Sequence, residues 1–338
     1  MQNLIRFNLQ TVTDAVNTAE TFLLRQQEQD GCWRDYNLPP GQSEAWTTAV
    51  VLWSLACTQP SSLPVTAVNA ATTALHALHK ETGWGYNRQT ATDGDSTAWT
   101  CRVLAALHGH RGLPLTQLLR NYIEPNGSSK TFLYNDKFGT WAGSHADVQP
   151  MIGLALVKCY ADAAFRNDDQ LTSIIFRLRH YCINSVNDQL RWKAFWWTTD
   201  AYPIACNLEF LQASGGVPEP IRQSATEWLM NSAGPASSFE AALQLKIACL
   251  TNTDPDLVAA MTDNLIGLQQ NDGTWPASTV LLVPDQFPVD ASKEMNKEDK
   301  NDFANQQPAH ADVKRLMSTA MALTALKPLL GKGFSIIH

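Results

Sequence analysis

The sequence predicts an all-α fold: an α6/α6 barrel of six helix pairs that forms a single domain over residues 1–338. Three observations support this prediction. Nearly every segment with regular apolar spacing has the period of a helix, and glycine and proline fall between these segments rather than at hairpin spacing. A short motif also recurs along the chain, and helix pairs that cannot bury an apolar face alone stack against their neighbours.

The composition is that of a globular protein and argues against several partners. Of the 338 residues, 44% are hydrophobic and 17% are charged, which is sufficient for one large core. The net charge of −7, without a long basic run, argues against nucleic acid. We expect no signal peptide and no transmembrane segment. The seven cysteines are scattered without a CxxC pair, which predicts a reducing, cytoplasmic location and no structural zinc.

The recurring motif combines a glutamine, a glycine and a tryptophan at the end of a helix. Its two best copies lie near the two ends of the chain and comprise Phe22, Gln26, Gly31 and Trp33, and Leu265, Gln269, Gly273 and Trp275. Weaker copies end at Trp84, Trp141 and Trp192, and a copy without a tryptophan lies near Gly234. Six copies predict six repeats, each with an outer helix that ends at this motif.

A second, more apolar helix follows each copy of the motif and is predicted to form the inner ring of the barrel. The N-terminal ends of the inner helices would then surround one mouth of a central cavity. When these helices are aligned, one position near each N-terminus is occupied in turn by Trp46, Asp95, Asp147, Asp200, Phe239 and Met317. We therefore expect a mouth that is acidic on one side and aromatic or apolar on the other.

The last repeat carries a long insertion, residues 276–312, which is rich in proline, asparagine, aspartate and lysine. Its only strand signal, over residues 278–283, is weak. A long loop of this kind is either a lid over the mouth or a solvated surface loop. Its end holds His310 and Asp312, which we expect to reach the mouth.

The segment DGDSTAW begins the second inner helix and contains Asp93, Asp95 and Ser96. These residue types suit a helix N-terminus, because their side chains accept bonds from free backbone N–H groups. Two carboxyl groups at one buried helix end also suit acid chemistry, since burial and a neighbouring carboxylate keep a carboxyl group protonated. The N–H groups of the helix end and the Ser96 hydroxyl would stabilise the carboxylate that remains after proton transfer.

The glutamine–glycine–tryptophan copies resemble the QW motifs of the terpenoid cyclase and protein prenyltransferase superfamily, over nearly the whole chain. DGDSTAW resembles the DxDDTA motif of class II terpene cyclases such as the squalene–hopene cyclases. The resemblance implies an α6/α6 toroid and a metal-independent, cofactor-free cyclisation or isomerisation that starts with protonation of an alkene or epoxide. It implies that Asp95 is the general acid and Asp93 the flanking carboxylate. Ser96 replaces the last aspartate of the motif, and we expect its hydroxyl to donate to Asp95.

The large class II cyclases join this barrel to a second α-barrel domain, whereas the present chain has room for one barrel. Either the substrate is small, or residues 276–312 cover the mouth, or a partner subunit covers it. We predict a small apolar or prenylated substrate. A cationic intermediate is stabilised by aromatic faces, for which Trp46 and Trp197 are the first candidates. The full set of predicted substrate contacts is Trp46, Trp99, Trp196, Trp197, Tyr202, Phe239, Met317, His310 and Asp312.

A second predicted cluster, His145, Asp147 and Asp200, leaves other functions open. It would serve to orient the substrate or remove the final proton, to act on a cationic natural-product intermediate, or to bind a divalent metal together with His310 and Asp312. The Asp-x-Cys signature of zinc-dependent prenyltransferases is missing.

Two further interpretations assign a different function to the same barrel. Paired carboxylates and tryptophans also fit an α6/α6 glycosidase, although tryptophans at outer-helix ends argue against it. A non-catalytic binding toroid would need only the capping role of Asp95 and Ser96.

Overall fold

The computed structural model describes residues 8–57, 63–161, 168–287 and 308–331. It confirms the predicted barrel as two concentric rings of helices. The inner ring consists of α2 (Ala45–Ala56), α4 (Gly94–Ala106), α7 (Gln149–Tyr160), α9 (Ala201–Ala213), α11 (Ser238–Thr251) and α13 (Leu316–Leu326). The outer ring consists of α1 (Leu9–Arg25), α3 (Val65–Ala77), α5 (Leu115–Arg120), α8 (Asp169–Asn184), α10 (Glu219–Asn231) and α12 (Pro255–Gly267).

The inner ring is closed, because each inner helix packs on the next and α13 packs back on α2. The apolar pattern explains which helices lie inside. Every residue of α13 is buried, as expected of a helix that is apolar all round. On α1 the buried residues Val12, Val16, Ala19 and Leu23 form a single stripe, so this helix covers the inner ring with one face.

The remaining elements lie mainly between an outer helix and the inner helix that follows it. They are the antiparallel hairpin β1 (Asp35–Leu38) and β2 (Gly41–Ser43), the short helix α6 (Asn135–Phe138), a 3-10 turn (Gly139–Ala142), and β3 (Thr279–Leu281), which pairs with β4 (His310–Ala311). A second 3-10 turn (Lys327–Leu330) follows α13. β3 confirms the weak strand signal. In the described part of the chain, no helix combines the length and the apolar character needed to cross a bilayer.

The motif tryptophans close the ends of the outer helices. The indole Nε1 of Trp33 donates to Leu23 O at 2.6 Å, and that of Trp275 donates to Leu265 O at 2.7 Å. Trp84 and Trp192 make the equivalent bonds to α3 and α8. Each bond satisfies a carbonyl near a helix C-terminus, which has no partner within the helix.

The motif glutamine of the first repeat is Gln27 rather than the predicted Gln26. Gln27 Nε2 donates to Gly31 O at 3.0 Å and to Ala67 O at 2.9 Å, so it joins its own turn to α3. Gln269 makes the corresponding pair of bonds in the last repeat. The sequence alignment was wrong by one position because two glutamines are adjacent and only the helix geometry distinguishes them.

The bonds of Gln269 also close the outer ring. Its Nε2 donates to Ala15 O of α1 at 2.9 Å, which connects the last repeat to the first. Gly273 has a φ of +88°, and a Cβ there would lie 2.6 Å from Thr18 O, so only glycine permits this close approach. The copy without a tryptophan falls in the turn near Gly234, between α10 and α11.

Trp141 is not a copy of the motif, contrary to the sequence prediction. Its indole Nε1 donates to Pro284 O at 2.6 Å and the side chain is half-buried. The equivalent turn lies earlier, after α5, where Gly127 has a φ of +88° and approaches Arg177 O. Ser129 stands two residues after this glycine, at the place that tryptophan occupies in the other turns. Trp141 is therefore available for another role.

Candidate active site

A cavity of about 420 Å³ opens at the N-terminal ends of the inner helices. Its lining is largely aromatic and aliphatic, with three carboxyl groups. The lining residues are Leu38, Pro39, Pro40, Trp46, Tyr86, Thr90, Ala91, Asp93, Asp95, Ser96, Thr131, Phe132, Phe138, Trp141, Asp147, Val148, Trp196, Trp197, Leu281, Leu282 and Val283. The size and chemistry are those of a pocket for an apolar small molecule.

Asp93 caps the N-terminus of α4. Its carboxylate accepts the backbone N–H of Ser96 at 2.7 Å and the Ser96 hydroxyl at 2.8 Å. The prediction that Ser96 donates to Asp95 is therefore wrong, because a capping residue meets the third helical residue and not its neighbour. Burial raises the pKa of Asp93 to about 6, against the lowering effect of these bonds.

Asp95 lies in the first turn of α4 and lines the cavity. Within the described part of the chain, its Oδ1 is buried and has no hydrogen-bond partner. Burial, followed by the charges of Asp93 and Asp147, raises the pKa of Asp95 well above its usual value. The shift favours the protonated form of the Asp95 carboxyl group, which is the form in which a general acid acts.

Asp147 lines the cavity and also holds a neighbouring loop in place through hydrogen bonds. Its carboxylate accepts the backbone N–H groups of Phe195 at 2.8 Å and Trp196 at 2.7 Å, and burial raises its pKa to about 6. Asp147 therefore holds the loop that carries two cavity tryptophans, and it places a second carboxylate near Asp95.

The structure does not assemble the predicted cluster of His145, Asp147 and Asp200. The His145 ring stacks on Phe195 at 3.8 Å between centroids, its Nδ1 bonds to Thr131 Oγ1 at 2.7 Å, and burial lowers its pKa to about 4. Asp200 lies outside the cavity lining and pairs with Lys193 at 2.7 Å. Both residues contact the loop around 193–198, and their catalytic roles stay a prediction.

The last two predicted contacts, His310 and Asp312, also lie outside the cavity lining. Asp312 accepts the backbone N–H groups of Ser278 and Ser318, each at 2.6 Å, and burial raises its pKa to about 7. It therefore ties the insertion to the start of α13. Among the residues that the structure describes, no three histidine, cysteine or carboxylate side chains converge as metal ligands.

Trp46 and Trp197 line the cavity, as predicted. Their ring centroids are 6.0 Å apart, and Trp197 stacks in turn on Tyr202 at 4.3 Å and on Phe239 at 4.8 Å. The stack continues the aromatic surface into the barrel core. Four predicted contacts are buried without lining the cavity: Trp99, Tyr202, Phe239 and Met317.

Several cavity residues were not predicted. Phe132 stacks on Phe138 at 4.3 Å, and Trp141 meets Trp196 at 5.5 Å, edge to face. The hairpin tip and Tyr86 complete this wall. All of these residues lie in loops between an outer helix and the next inner helix, so their position in the repeat was the signal that placed them at the mouth.

The first part of the predicted lid forms one wall of the cavity. Residues 281–283 line it, and the backbone of this segment pairs with the tryptophan loop through Leu282 N to Trp196 O at 2.8 Å and Thr198 N to Val280 O at 2.9 Å. Residues 288–307 of the insertion lie outside the described residues, so its function as a lid stays a prediction.

The stability of the folded protein should depend on pH through these carboxyl groups. The folded state holds the Asp95 proton more tightly than the unfolded chain, whose aspartates have a pKa of about 3.9. The stability from this group is complete below that value and is lost as pH rises towards the folded pKa. Asp95→Asn removes the ionisation. We therefore expect the free energy of unfolding of the variant, relative to that of the wild type, to be higher at pH 8 than at pH 4. Urea denaturation at both pH values measures this; an equal difference at the two would contradict it.

No protein-family model matches this sequence, and no curated protein matches it. Solved structures do match its fold. The type II terpene cyclase MstE from Scytonema superposes with a TM-score of 0.74 and 23% identity, over 96% of this chain and 99% of that one. The fold is the toroid of type II terpene cyclases. A variant of MstE in complex with its substrate, geranylgeranyl dihydroxybenzoate, gives a TM-score of 0.72 with 23% identity, over 94% and 97% of the two chains.

Two other matches show how widely this fold is shared. The ent-copalyl diphosphate synthase from Streptomyces platensis has a TM-score of 0.58 and 20% identity, and the match covers 84% of this chain but 50% of the synthase. A possible member of the GH105 family from Klebsiella pneumoniae has a TM-score of 0.60 and 14% identity, over 98% and 95% of the two chains. Because one barrel carries different chemistries, the choice between them depends on the site.

Proposed function

We propose that the protein is a metal-independent cyclase or isomerase that protonates an alkene or epoxide of a small apolar or prenylated substrate. The observation that carries this proposal is a buried carboxyl group, Asp95, in a cavity walled by aromatic rings, where burial favours its protonated form. For an alkene, the O–H bond of Asp95 breaks as the π electron pair forms a new C–H bond, which leaves a carbocation. An internal alkene then attacks the cation, and loss of a proton gives an isomer of the substrate.

The walls of the cavity suit the cation that this step creates. The faces of Trp46 and Trp197 line the cavity beside the acid, and each cation–π contact in a dry site stabilises a cation by about 2 kcal/mol. Nucleophiles that would trap the cation are few in the described lining. Asp93 and Asp147 both have their oxygens occupied by hydrogen bonds.

The same observations make a glycosidase less suitable. A glycosidase needs a second free carboxylate as nucleophile or base, and polar side chains to bind sugar hydroxyls. Among the residues described, Asp95 is the one cavity carboxyl with an unpaired buried oxygen, Oδ1, because the oxygens of Asp93 and Asp147 are occupied by hydrogen bonds. The likeness to MstE, whose substrate is geranylgeranyl dihydroxybenzoate, supports a prenylated compound for this chain as well.

A deuterium-incorporation assay tests the proposal. Purified protein with EDTA would be incubated in H₂O and in D₂O with polyprenols, prenylated arenes and prenyl diphosphates. We expect a product of the same mass as its substrate in H₂O and a product heavier by one deuterium in D₂O, because the acid exchanges with solvent and its proton stays in the product. A reaction that EDTA abolishes, or a product that takes up no deuterium, would refute protonation by Asp95 as the starting step.

A further inference from the structure

The indole N–H of Trp46 is a buried hydrogen-bond donor, and Oδ1 of Asp95 is a buried acceptor beside it. Both are unpaired among the described residues. Trp46 lies in the first turn of α2 and Asp95 in the first turn of α4, and these two helices pack side by side. Trp46 Nε1 and Asp95 Oδ1 are both buried, and neither has a partner with full hydrogen-bond geometry among the described residues. Against the raising effect of burial, the Trp46 side chain is nevertheless close enough to lower the pKa of Asp95 as a hydrogen-bond donor. Buried polar atoms are almost always paired, so two neighbouring exceptions at one site point to a shared use.

The other donors near Asp95 are already engaged. The first N–H groups of α4 were expected to receive the Asp95 carboxylate, but those of Ser96 and Thr97 bond to Asp93, at 2.7 and 3.1 Å. The N–H of Gly94 bonds to a loop carbonyl at 2.7 Å, and the Ser96 hydroxyl also bonds to Asp93. The N–H groups at the start of α4 are therefore not free for Asp95. The Trp46 indole is an unpaired donor among the described residues, and against the raising effect of burial its effect as a donor lowers the pKa of Asp95.

We propose that Trp46 is a positioning residue whose indole N–H donates to Oδ1 of Asp95 as the acid loses its proton. This inference rests on the proposed function. While Asp95 is protonated it is neutral, and the contact is weak. After proton transfer Oδ1 carries negative charge close to Asp93 and Asp147, and a donor fixed in advance becomes strongly stabilising. An interaction that strengthens only as charge develops lowers the barrier without tightening substrate binding.

The packing of Trp46 fixes the direction of this N–H. Its ring centroid lies 5.8 Å from that of Tyr36, 6.3 Å from Tyr86 and 6.0 Å from Trp197. The indole is thus held by three other rings. Catalytic hydrogen bonds are often long before the substrate binds. One side chain then serves both charges of the reaction, with its N–H towards the carboxylate and its face towards the cation.

The test separates the N–H group from the aromatic face. Trp46→Phe removes the donor and part of the face, and replacement of Trp46 by benzothienylalanine removes the donor alone. We expect the benzothienyl variant to lose about 10²-fold in kcat with little change in KM. Activity requires protonated Asp95, so it falls at high pH; without the donor the pKa of Asp95 rises, and this limb of the kcat profile should move to higher pH. Trp197→Phe is the matched control and should leave the limb in place.

An infrared measurement gives a readout that needs no turnover. At a pH above the pKa of Asp95, the antisymmetric carboxylate stretch of ionised Asp95 is assigned from the difference between the wild type and Asp95→Asn. We expect this band to shift in the benzothienyl variant, because the donor to the ionised Oδ1 has been removed. A wild type without turnover would defeat the proposed function, and the band would still decide the contact. An unmoved band, or an unmoved pH limb in an active variant, would overturn the inference while leaving protonation by Asp95 intact.

Discussion

Asp95→Asn is expected to reduce turnover by at least about 10³-fold, because an amide cannot replace a general acid. The change preserves the shape of the side chain, and Oδ1 makes no hydrogen bond that would be lost. We therefore expect the variant to fold and to bind the substrate. Turnover measured by mass spectrometry, with circular dichroism and ligand binding for the fold, checks this result.

Asp200→Asn is the control for this experiment. The aligned helix N-termini place Asp200 and Asp95 at equivalent positions, but Asp200 lies outside the cavity lining and pairs with Lys193. Its replacement should leave kcat within a small factor of the wild-type value. Full activity in Asp95→Asn, or a comparable loss in Asp200→Asn, would show that the acid has been assigned to the wrong residue.

Trp275→Ala should cost about 3–5 kcal/mol in the free energy of unfolding, the range found for large aromatic side chains removed from a core. Trp275 is fully buried, its Nε1 donates to Leu265 O, and its backbone N–H is bonded by Thr319. Trp275 therefore joins α12 through its indole and α13 through its backbone N–H, next to the bonds with which Gln269 closes the outer ring. Equilibrium urea denaturation measures the loss.

Trp141→Ala is the matched comparison, since both tryptophans follow a Gly-Thr pair in the sequence. Trp141 is half-buried, lines the cavity and bonds to Pro284 of the insertion. We expect a smaller loss of stability and a larger change in KM or product distribution than in Trp275→Ala. Equal losses of stability in the two variants would mean that Trp141 closes a repeat after all.

The repeats could be recognised from sequence because they depend on short-range patterns. The apolar character of α13 is present in its own residues, and so is the Gly-x-Trp turn that ends α1 and α12. The same holds for Asp95, because its position in the first turn of an inner helix follows from the helix itself. Burial of such a position in a closed barrel then raises the pKa of the carboxyl group.

The hydrogen-bond and ion-pair partners of the three aspartates could not be predicted in the same way. Asp95, Asp147 and Asp200 have equivalent places in the aligned repeats, but their contacts differ. Oδ1 of Asp95 is unpaired among the described residues, Asp147 holds a loop, and Asp200 pairs with Lys193. These differences arise from loops that arrive from elsewhere in the chain. The wall formed by residues 281–283 and Trp196 has the same origin, because it joins segments about 85 residues apart in the sequence.

The order of amino acids thus specified the barrel, its repeats, the mouth of the cavity and the residue proposed as the acid, since each depends on local periodicity or on a single helix end. The tertiary structure decided which polar groups are satisfied. In the folded chain the Ser96 hydroxyl donates to Asp93, and the first N–H groups of α4 bond to other acceptors. Among the described residues, Asp95 Oδ1 and the indole N–H of Trp46 stay unpaired. A hydrogen bond forms only between a donor and an acceptor about 3 Å apart. Only the folded chain determines which groups come that close.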